Sequence, residues 1–313
     1  MQYTNKFNWA PELVTAILKD RYTDEDERDF DESASTLTAP TQMIILKRRY
    51  PDQLVIEDVS DMFWRFLGSI AHSVLEEAFH AQDNGDGSFV EKRLYLDLLG
   101  KTISGKLDLY SAARQEVRDY KSTKVYKIIK GDYIEWENGQ NIYAYLLRQN
   151  DFPVKKLTVI ALIFDFKPAE AYKKNYPSSA SVQIDLPLWN EARQLAYITE
   201  RVQRLLTAET LTDTELTEHF PCSDTEMWSD IKDWAIFKQG AQRATACFDT
   251  EHEALAAFTD KKLSYATHQI VKRMTGRTRC LRFCPVRNIC GQNKALLQQE
   301  GKSLPEDREP CIF

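Results

Sequence analysis

Residues 156–166 read KLTVIALIFDF. An almost unbroken apolar run of strand length suits a β-strand buried on both faces, which sits inside a sheet and needs helices to cover it. The rest of the chain supplies those partners. Residues 11–19 read as a helix, with the acidic run DEDERDFDE at 24–32 as a loop after it. A second helix is expected from near Thr38, with Pro40 in its first turn and Lys47, Arg48 and Arg49 at its negative C-terminal end. Residues 57–79 form the clearest long helix. Ile70, Val74 and Ala78, with Ala71, Leu75 and Phe79, recur at helical spacing and are expected to be its buried face. Short β-type runs follow at 89–99, 102–110 and 116–120, joined by turns at 100–101 and 111–114. Residues 141–147 and 188–206 read as helices, and 243–248 as a strand. The predicted class is α/β (α+β), a central mixed β-sheet flanked by helices. The predicted division is a helical region at 1–60, a core at 61–210 and a cysteine-rich lobe at 211–313.

Two of these strands carry acids where acids are disfavoured. In GKLDLYSAARQEVRDYKS, residues 105–122, Asp108 lies on one strand, and Asp119 and Lys121 lie on the next. Side chains at i and i+2 of a strand share a face, so Asp119 and Lys121 project together, and a hairpin brings Asp108 beside them. Two carboxylates make an oxygen-rich site for Mg²⁺ or Mn²⁺, which polarises a phosphate and lowers the pKa of a water. A lysine beside them can orient that water or meet charge developing at phosphorus. The residue types and spacing therefore point to metal-assisted phosphodiester hydrolysis.

The same residues resemble a known family. Gly105-Lys106-Leu107-Asp108 followed by Asp119-Tyr120-Lys121 is similar to the second and third motifs of RecB-like nucleases of the PD-(D/E)xK superfamily. The helix bearing Gly68, His72, Leu75 and Glu76 resembles their first motif. The resemblance implies a restriction-endonuclease-like core. In it His72 and Asp108 are metal ligands, Asp119 and the Tyr120 carbonyl complete the site, and Lys121 is catalytic. Glu76, one turn after His72, is placed as an outer partner. Family members carry Gln-x-x-x-Tyr on the next helix. Here Gly139 stands four places before Tyr143, and Gln140 comes one place late.

The chain has six cysteines, at 222, 247, 280, 284, 290 and 311. Its N-terminus lacks a basic segment followed by an apolar one, and no apolar run approaches the ~20 residues that span a bilayer. A reducing cytoplasm is therefore expected, bacterial or that of a phage-infected host. There, thiols as close as Cys280, Cys284 and Cys290 bind metal. Cys222 is the expected fourth ligand, Cys247 is expected to be buried packing, and Cys311 lies near the terminus. A compact trio with one distant cysteine fits a [4Fe-4S] cluster, with Zn²⁺ as the alternative. CRISPR-adaptation nucleases and the nuclease domain of AddB-like subunits are similar in having a C-terminal trio. Their lone cysteine often precedes the first motif, whereas here it follows the core, an order that resembles a phage-encoded subgroup.

Net charge is −6, which by itself disfavours a polyanion partner. The charge is uneven, however: residues 261–299 include Lys272, Arg273, Arg277 and Arg279 and contain no acid. With Lys124 and Gln140, these four are the candidate DNA-binding residues. The leading expectation is a nuclease acting at linear or single-stranded DNA ends. A non-catalytic DNA-binding scaffold and a restriction-type endonuclease stay open beside it. The sequence has no phosphate-binding loop of the helicase type, so a helicase or recombinase would be a separate partner. Fold analogy adds a homo-oligomer to the expectations, and no membrane partner is expected.

Overall fold

The computed structural model describes residues 3–19, 29–80 and 85–301. Part of the acidic run at 24–32, and Cys311, lie outside them. In chain order the elements begin with β1 (Tyr3–Thr4), α1 (Pro11–Leu18), β2 (Glu32–Ser33), α2 (Ala34–Thr38), α3 (Thr41–Arg49), β3 (Glu57–Asp58) and α4 (Val59–His80). Next come β4 (Phe89–Leu98), β5 (Lys101–Ser111), β6 (Glu116–Thr123), α5 (Val125–Lys130), α6 (Ile134–Gln149), β7 (Lys156–Ile163), β8 (Ser181–Leu186) and α7 (Glu191–Thr210). The last are α8 (Asp213–His219), β9 (Ile231–Lys238), β10 (Ala246–Phe248), α9 (Glu251–Asp260), β11 (His268–Met274) and α10 (Gly291–Gln299). They fall into two compact units, Met1–Ala39 with Ile56–Thr207, and Pro40–Val55 with Ala208–Phe313.

The first unit is built on a six-stranded mixed sheet in the order β2-β5-β6-β7-β8, with β4 also paired to β5. The apolar run at 156–166 does what its composition demands. β7 lies between β6, parallel, and β8, antiparallel, and Leu157, Thr158, Val159 and Ala161 have no exposed surface. Its far end is drawn out of the ladder, where Asp165 accepts the Val125 backbone N–H at 2.7 Å and starts α5.

β4 and β5 form a hairpin closed by the two-residue turn Leu99–Gly100, with left-handed φ of 54° and 74°. One edge of β5 carries β4. The other is divided, pairing with β2 at Ile103 and Ser104 and with β6 only from Leu109 to Ser111. Residues 105–108 therefore stand where β5 and β6 part. On this stretch α6 packs close to the backbone. A Cβ at Gly105 would sit 2.5 Å from Leu146 Cδ1 and 2.9 Å from Tyr143 Cε1, so only glycine fits without displacement.

α4 turns only half of the expected face inward: Leu75 and Phe79 line the pocket, and the other stripe does not. Ile70 and Val74 are 44% and 60% exposed, and Ala78 is also exposed. The helix is turned so that His72, Leu75, Glu76 and Phe79 line a pocket with β4, β5 and β6. At about 100° per residue, positions two places from His72 lie on the opposite side of the helix. Spacing showed the period of this helix but not which of its stripes meets the sheet. The second expected helix also begins later. Pro40 is the residue before α3 rather than part of its first turn, and α2 precedes it.

The second unit contains a three-stranded antiparallel sheet, β10-β9-β11. The strand expected at 243–248 is β10, but β9 and β11 were not anticipated. Asp233 interrupts the alternation of β9. Its charge is met by Arg273 on β11, whose Nε and Nη2 each donate to it at 2.5 Å. Cys247 is exposed, contrary to expectation, and its sulfur accepts from Arg273 Nη2 at 3.1 Å. Thr212 and Thr250 close capping boxes with Glu215 and Glu253 and start α8 and α9. α3 is tied to α8 through Asp213, which accepts from Arg49 Nη1 and the Tyr50 hydroxyl, both at 2.7 Å. Among the described residues, no helix is long and apolar enough to cross a membrane.

Candidate functional site

Asp119 and Lys121 share a face of β6, as i and i+2 must. The Lys121 ammonium lies 3.0 Å from Asp119 Oδ1 and 2.8 Å from Oδ2. Asp108 stands at the parting of β5 and β6, where the main-chain ladder has stopped. Its Oδ2 accepts the Tyr120 N–H at 2.8 Å, replacing a carbonyl that β5 no longer supplies. That bond holds the carboxylate in place and leaves Oδ1 toward α4, 3.5 Å from His72 Nδ1. The other ring nitrogen of His72, Nε2, lies 3.0 Å from the Tyr120 carbonyl oxygen. A proton on Nε2 makes that carbonyl the acceptor that fixes the ring and leaves Nδ1 facing the acids. The Tyr120 carbonyl, a metal ligand in the family resemblance, is in this arrangement also the group that orients His72.

The sequence reading missed Glu91. One ligand atom from each of His72, Glu91 and Asp108 lies within 4.8 Å of the other two. Glu91 sits on β4 with a left-handed φ of 50°, and the β4–β5 pairing runs from Val90↔Leu109 to Lys92↔Leu107 without it. A non-glycine residue in this region is a local distortion, and such kinks re-aim side chains at functional sites. Lys106 makes an ion pair with Glu91. The signal was available, because a two-residue turn at 99–100 sets Glu91 opposite Asp108. Glu76 lines the same pocket, as its place one turn after His72 suggests.

The electrostatics suit a cation. Burial lifts the Asp119 carboxyl to about 6, with Lys121 opposing and Asp108 adding to the rise. Burial by itself lowers Lys121, but the Asp119 and Asp108 carboxylates outweigh it and hold the ammonium above the ordinary lysine value. The hydrogen bond to Asp108 raises His72 against the effect of burial, and the charges of Asp108 and Asp119 add to it. Closely set carboxylates repel one another, and a divalent ion relieves that repulsion. Oxygen and imidazole donors in this number can hold a divalent cation. Tyr143 is half-buried on α6, with its ring against Gly105 of β5.

The candidate DNA-binding residues separate. Gln140 and Arg277 are buried, 1% and 8% exposed, so neither offers its side chain to a phosphate from solvent. Arg273 is committed to Asp233, and Arg279 lies over the Trp228 ring at 4.6 Å. Lys124 stands 5.7 Å from the Trp64 ring centroid, and Lys272 is exposed. Arg277 pairs with Glu300, just beyond the acid-free stretch, so residues 261–299 are less basic in three dimensions than in sequence.

In the second unit, Cys222, Cys280, Cys284 and Cys290 gather. Cys284 and Cys290 are buried and the other two half-buried. Burial and mutual repulsion push the Cys222 thiol up, with Glu226 adding to the rise, and raise Cys280 to about 11. Burial also raises Cys284 and Cys290, against hydrogen bonds from the Val286 N–H to Cys284 and from the Gln292 and Asn293 N–H groups to Cys290. Cys290 precedes α10, so two donors of the first helical turn point at its sulfur. The distant Cys222 is pinned by Gln292, whose amide accepts the Cys222 N–H at 2.8 Å and donates to its carbonyl at 2.9 Å. Arg277 acts on the Cys280 sulfur, and among the described residues its buried Nε and Nη2 have no hydrogen-bond partner. Buried sulfurs with N–H donors aimed at two of them, and a buried cation nearby, fit a thiolate-bound metal centre.

No family model matches this sequence, and no curated protein matches it. Among solved structures the chain is similar to SSO0001, at 16% identity and a TM-score of 0.43 over 66% of this chain and 90% of that one. It is also similar to a phage-related exonuclease from Haemophilus somnus 129PT, at 11% identity and a TM-score of 0.35 over 57% of this chain and 82% of that one.

Proposed function

We propose that this chain is a divalent-metal-dependent DNA nuclease, acting on DNA ends as an exonuclease. One observation carries the reading: donor atoms of His72, Glu91 and Asp108 converge within 4.8 Å, beside the Asp119–Lys121 pair on the neighbouring strand. His72, Glu91 and Asp108 would hold Mg²⁺ or Mn²⁺, with Asp119 completing the set. The ion, when bound, supplies charge neutralisation at the scissile phosphate and a water of lowered pKa. The chain's own groups do the rest. The Tyr120 N–H holds Asp108, and the Tyr120 carbonyl holds the His72 ring, so two donors are set before any substrate arrives. Lys121, kept protonated by its carboxylate neighbours, meets the negative charge that grows on the phosphoryl oxygens. Glu76, on the pocket wall, is an outer partner of the same donors.

The four cysteines, in this reading, hold a [4Fe-4S] cluster that ties residue 222 to the segment 280–290, with zinc as the alternative. The compact trio at 280, 284 and 290 with one distant cysteine supports the larger centre.

The test is digestion of linear and closed circular DNA with Mg²⁺ or Mn²⁺ by the wild type and by Asp119→Ala. The proposal expects nucleotide release from linear DNA, little action on closed circles, and none by the variant. Release that survives Asp119→Ala, or a wild type inert with both ions, would refute it. Cutting of closed circles would replace the exonuclease with an endonuclease.

A further inference from the structure

Gln42, in the first turn of α3, is 1% exposed and reaches the cysteine cluster. Its Oε1 lies 3.3 Å from the Cys290 sulfur and 3.9 Å from the Cys222 sulfur, each thiol donating toward it. On its other side Nε2 donates to the Thr217 hydroxyl at 3.0 Å, and that hydroxyl donates to the Asp213 carbonyl at 3.0 Å. The contact is close. A Cβ at Gly291, the residue after Cys290, would stand 2.9 Å from Thr217 Oγ1. Each bond in this chain has one donor and one acceptor while the sulfurs are thiols.

The same side chain cannot keep that orientation against a metal centre. A sulfur bound to a metal has lost its proton and is anionic, so it accepts and cannot donate. An amide oxygen aimed at two such sulfurs would be repelled by both. The amide oxygen and nitrogen occupy nearly the same space, and the network alone decides which lies where. Turning the terminal amide by half a revolution gives each of the two sulfurs one N–H. The turned oxygen then faces the Thr217 hydroxyl, which swings its proton from the Asp213 carbonyl to the amide. The inventory of donors and acceptors closes again, with no backbone movement.

We infer that Gln42 is a positioning residue for the thiol-bound centre, its amide reversing on metal loading to donate one N–H to Cys222 and one to Cys290. The inference rests on the reading that the four cysteines hold a metal. It gives Cys222 a sulfur donor to match the main-chain donors that serve Cys284 and Cys290. It also ties the centre to a residue 180 positions earlier in the sequence.

The test compares the wild type with Gln42→Glu, whose carboxylate is nearly isosteric but cannot donate, and Gln42→Met, which fills the space without polar atoms. Each full-length protein is loaded under argon with ferric iron, a thiol reductant and sulfide, and separately with Co²⁺. Metal per chain, visible absorbance and the rate of loss to a chelator are then followed. Far-UV circular dichroism of the unloaded proteins reports folding, and Gln42→Met carries the test if Gln42→Glu fails to fold. The expected result is roughly tenfold or greater weakening of metal retention in Gln42→Glu, with a smaller loss in Gln42→Met. The cluster of Gln42→Met should also show a shifted reduction potential, which a merely space-filling glutamine would not produce. Variants that load, release and titrate like the wild type would overturn the role of Gln42 and leave the metal centre standing. A wild type that takes up neither iron–sulfur nor Co²⁺ would overturn both.

Discussion

The acidic pocket of the first unit and the cysteine cluster of the second both gather cation-binding groups, but from opposite materials. The pocket uses hard oxygen and imidazole donors from α4, β4, β5 and β6, and His72, Glu91 and Asp108 are half-buried in its wall. The cluster uses soft sulfurs, Cys284 and Cys290 buried and Cys222 and Cys280 half-buried, with Val286, Gln292 and Asn293 main-chain N–H groups aimed at Cys284 and Cys290. Hard oxygen and imidazole donors exchange ligands readily and suit chemistry on a substrate. Buried, hydrogen-bonded thiolates hold their ion and suit structure. In the proposed reading the first site turns over substrate and the second retains its ion, and each assignment can be broken separately.

The largest effect is expected at the Asp119–Lys121 pair. Replacing either with Ala should lower the rate on linear DNA by on the order of a thousandfold or more, since a charge aimed at the transition state is lost. Visible absorbance from the cysteine cluster should be unchanged. If both properties fall together in a folded protein, the division of labour is wrong.

Glu91 sharpens the comparison at the donor level. Glu91→Gln keeps the shape of the pocket but weakens one ligand, and Mn²⁺ affinity should fall on the order of tenfold. Isothermal titration of wild type and variant would measure it. An unchanged affinity would remove Glu91 from the site despite its distance to His72 and Asp108.

A chelator should separate the two centres outright. Brief exposure to EDTA is expected to stop hydrolysis while the absorbance persists, with activity restored by Mn²⁺. Cys284→Ser should do the reverse, removing absorbance and lowering the melting temperature by several degrees through loss of a metal-linked crosslink. Full thermal stability in that variant would show that the cluster is no staple.

The smallest effect concerns the far end of β6. Glu116 is almost fully buried. Burial raises its pKa, but hydrogen bonds from Thr158 Oγ1 at 2.6 Å and Arg118 Nε at 2.9 Å win, and the net shift is downward. A carboxyl with a depressed folded pKa adds stability above its unfolded value, and that stability is lost as the pH falls through the folded one. Glu116→Gln should therefore cost about 1–3 kcal/mol at pH 7, and the difference should shrink below pH 4. Melting temperatures of both proteins at the two pH values would check the sign. A penalty that grew in acid would contradict the assigned shift.

Local pattern was enough to reveal part of this architecture. The apolar run at 156–166 dictated an interior strand because no other setting buries both of its faces. The spacing of Asp119 and Lys121 placed them together because a pleated strand repeats every two residues. The trio at 280, 284 and 290 was visible because close thiols in one segment need no long-range knowledge. Other features depended on how separate elements meet. Helical period could not say that α4 would turn His72 inward and leave Ile70 and Val74 exposed, because the phase of a helix is set by the sheet it packs on. Glu91 reached the pocket through hairpin register and a backbone kink, neither of which is a property of its neighbours in sequence. β9 hid its strand character behind Asp233 until Arg273 on β11 supplied the opposing charge. Cys222 and Gln42 joined the cluster through partners at 290 and 292, and Arg277 and Gln140 proved buried rather than open to a ligand. Residue type and spacing decided which chemistries are proposed for this chain. Only chain crossings brought the groups within reach, because ångström-scale contacts depend on packing between segments far apart in the sequence.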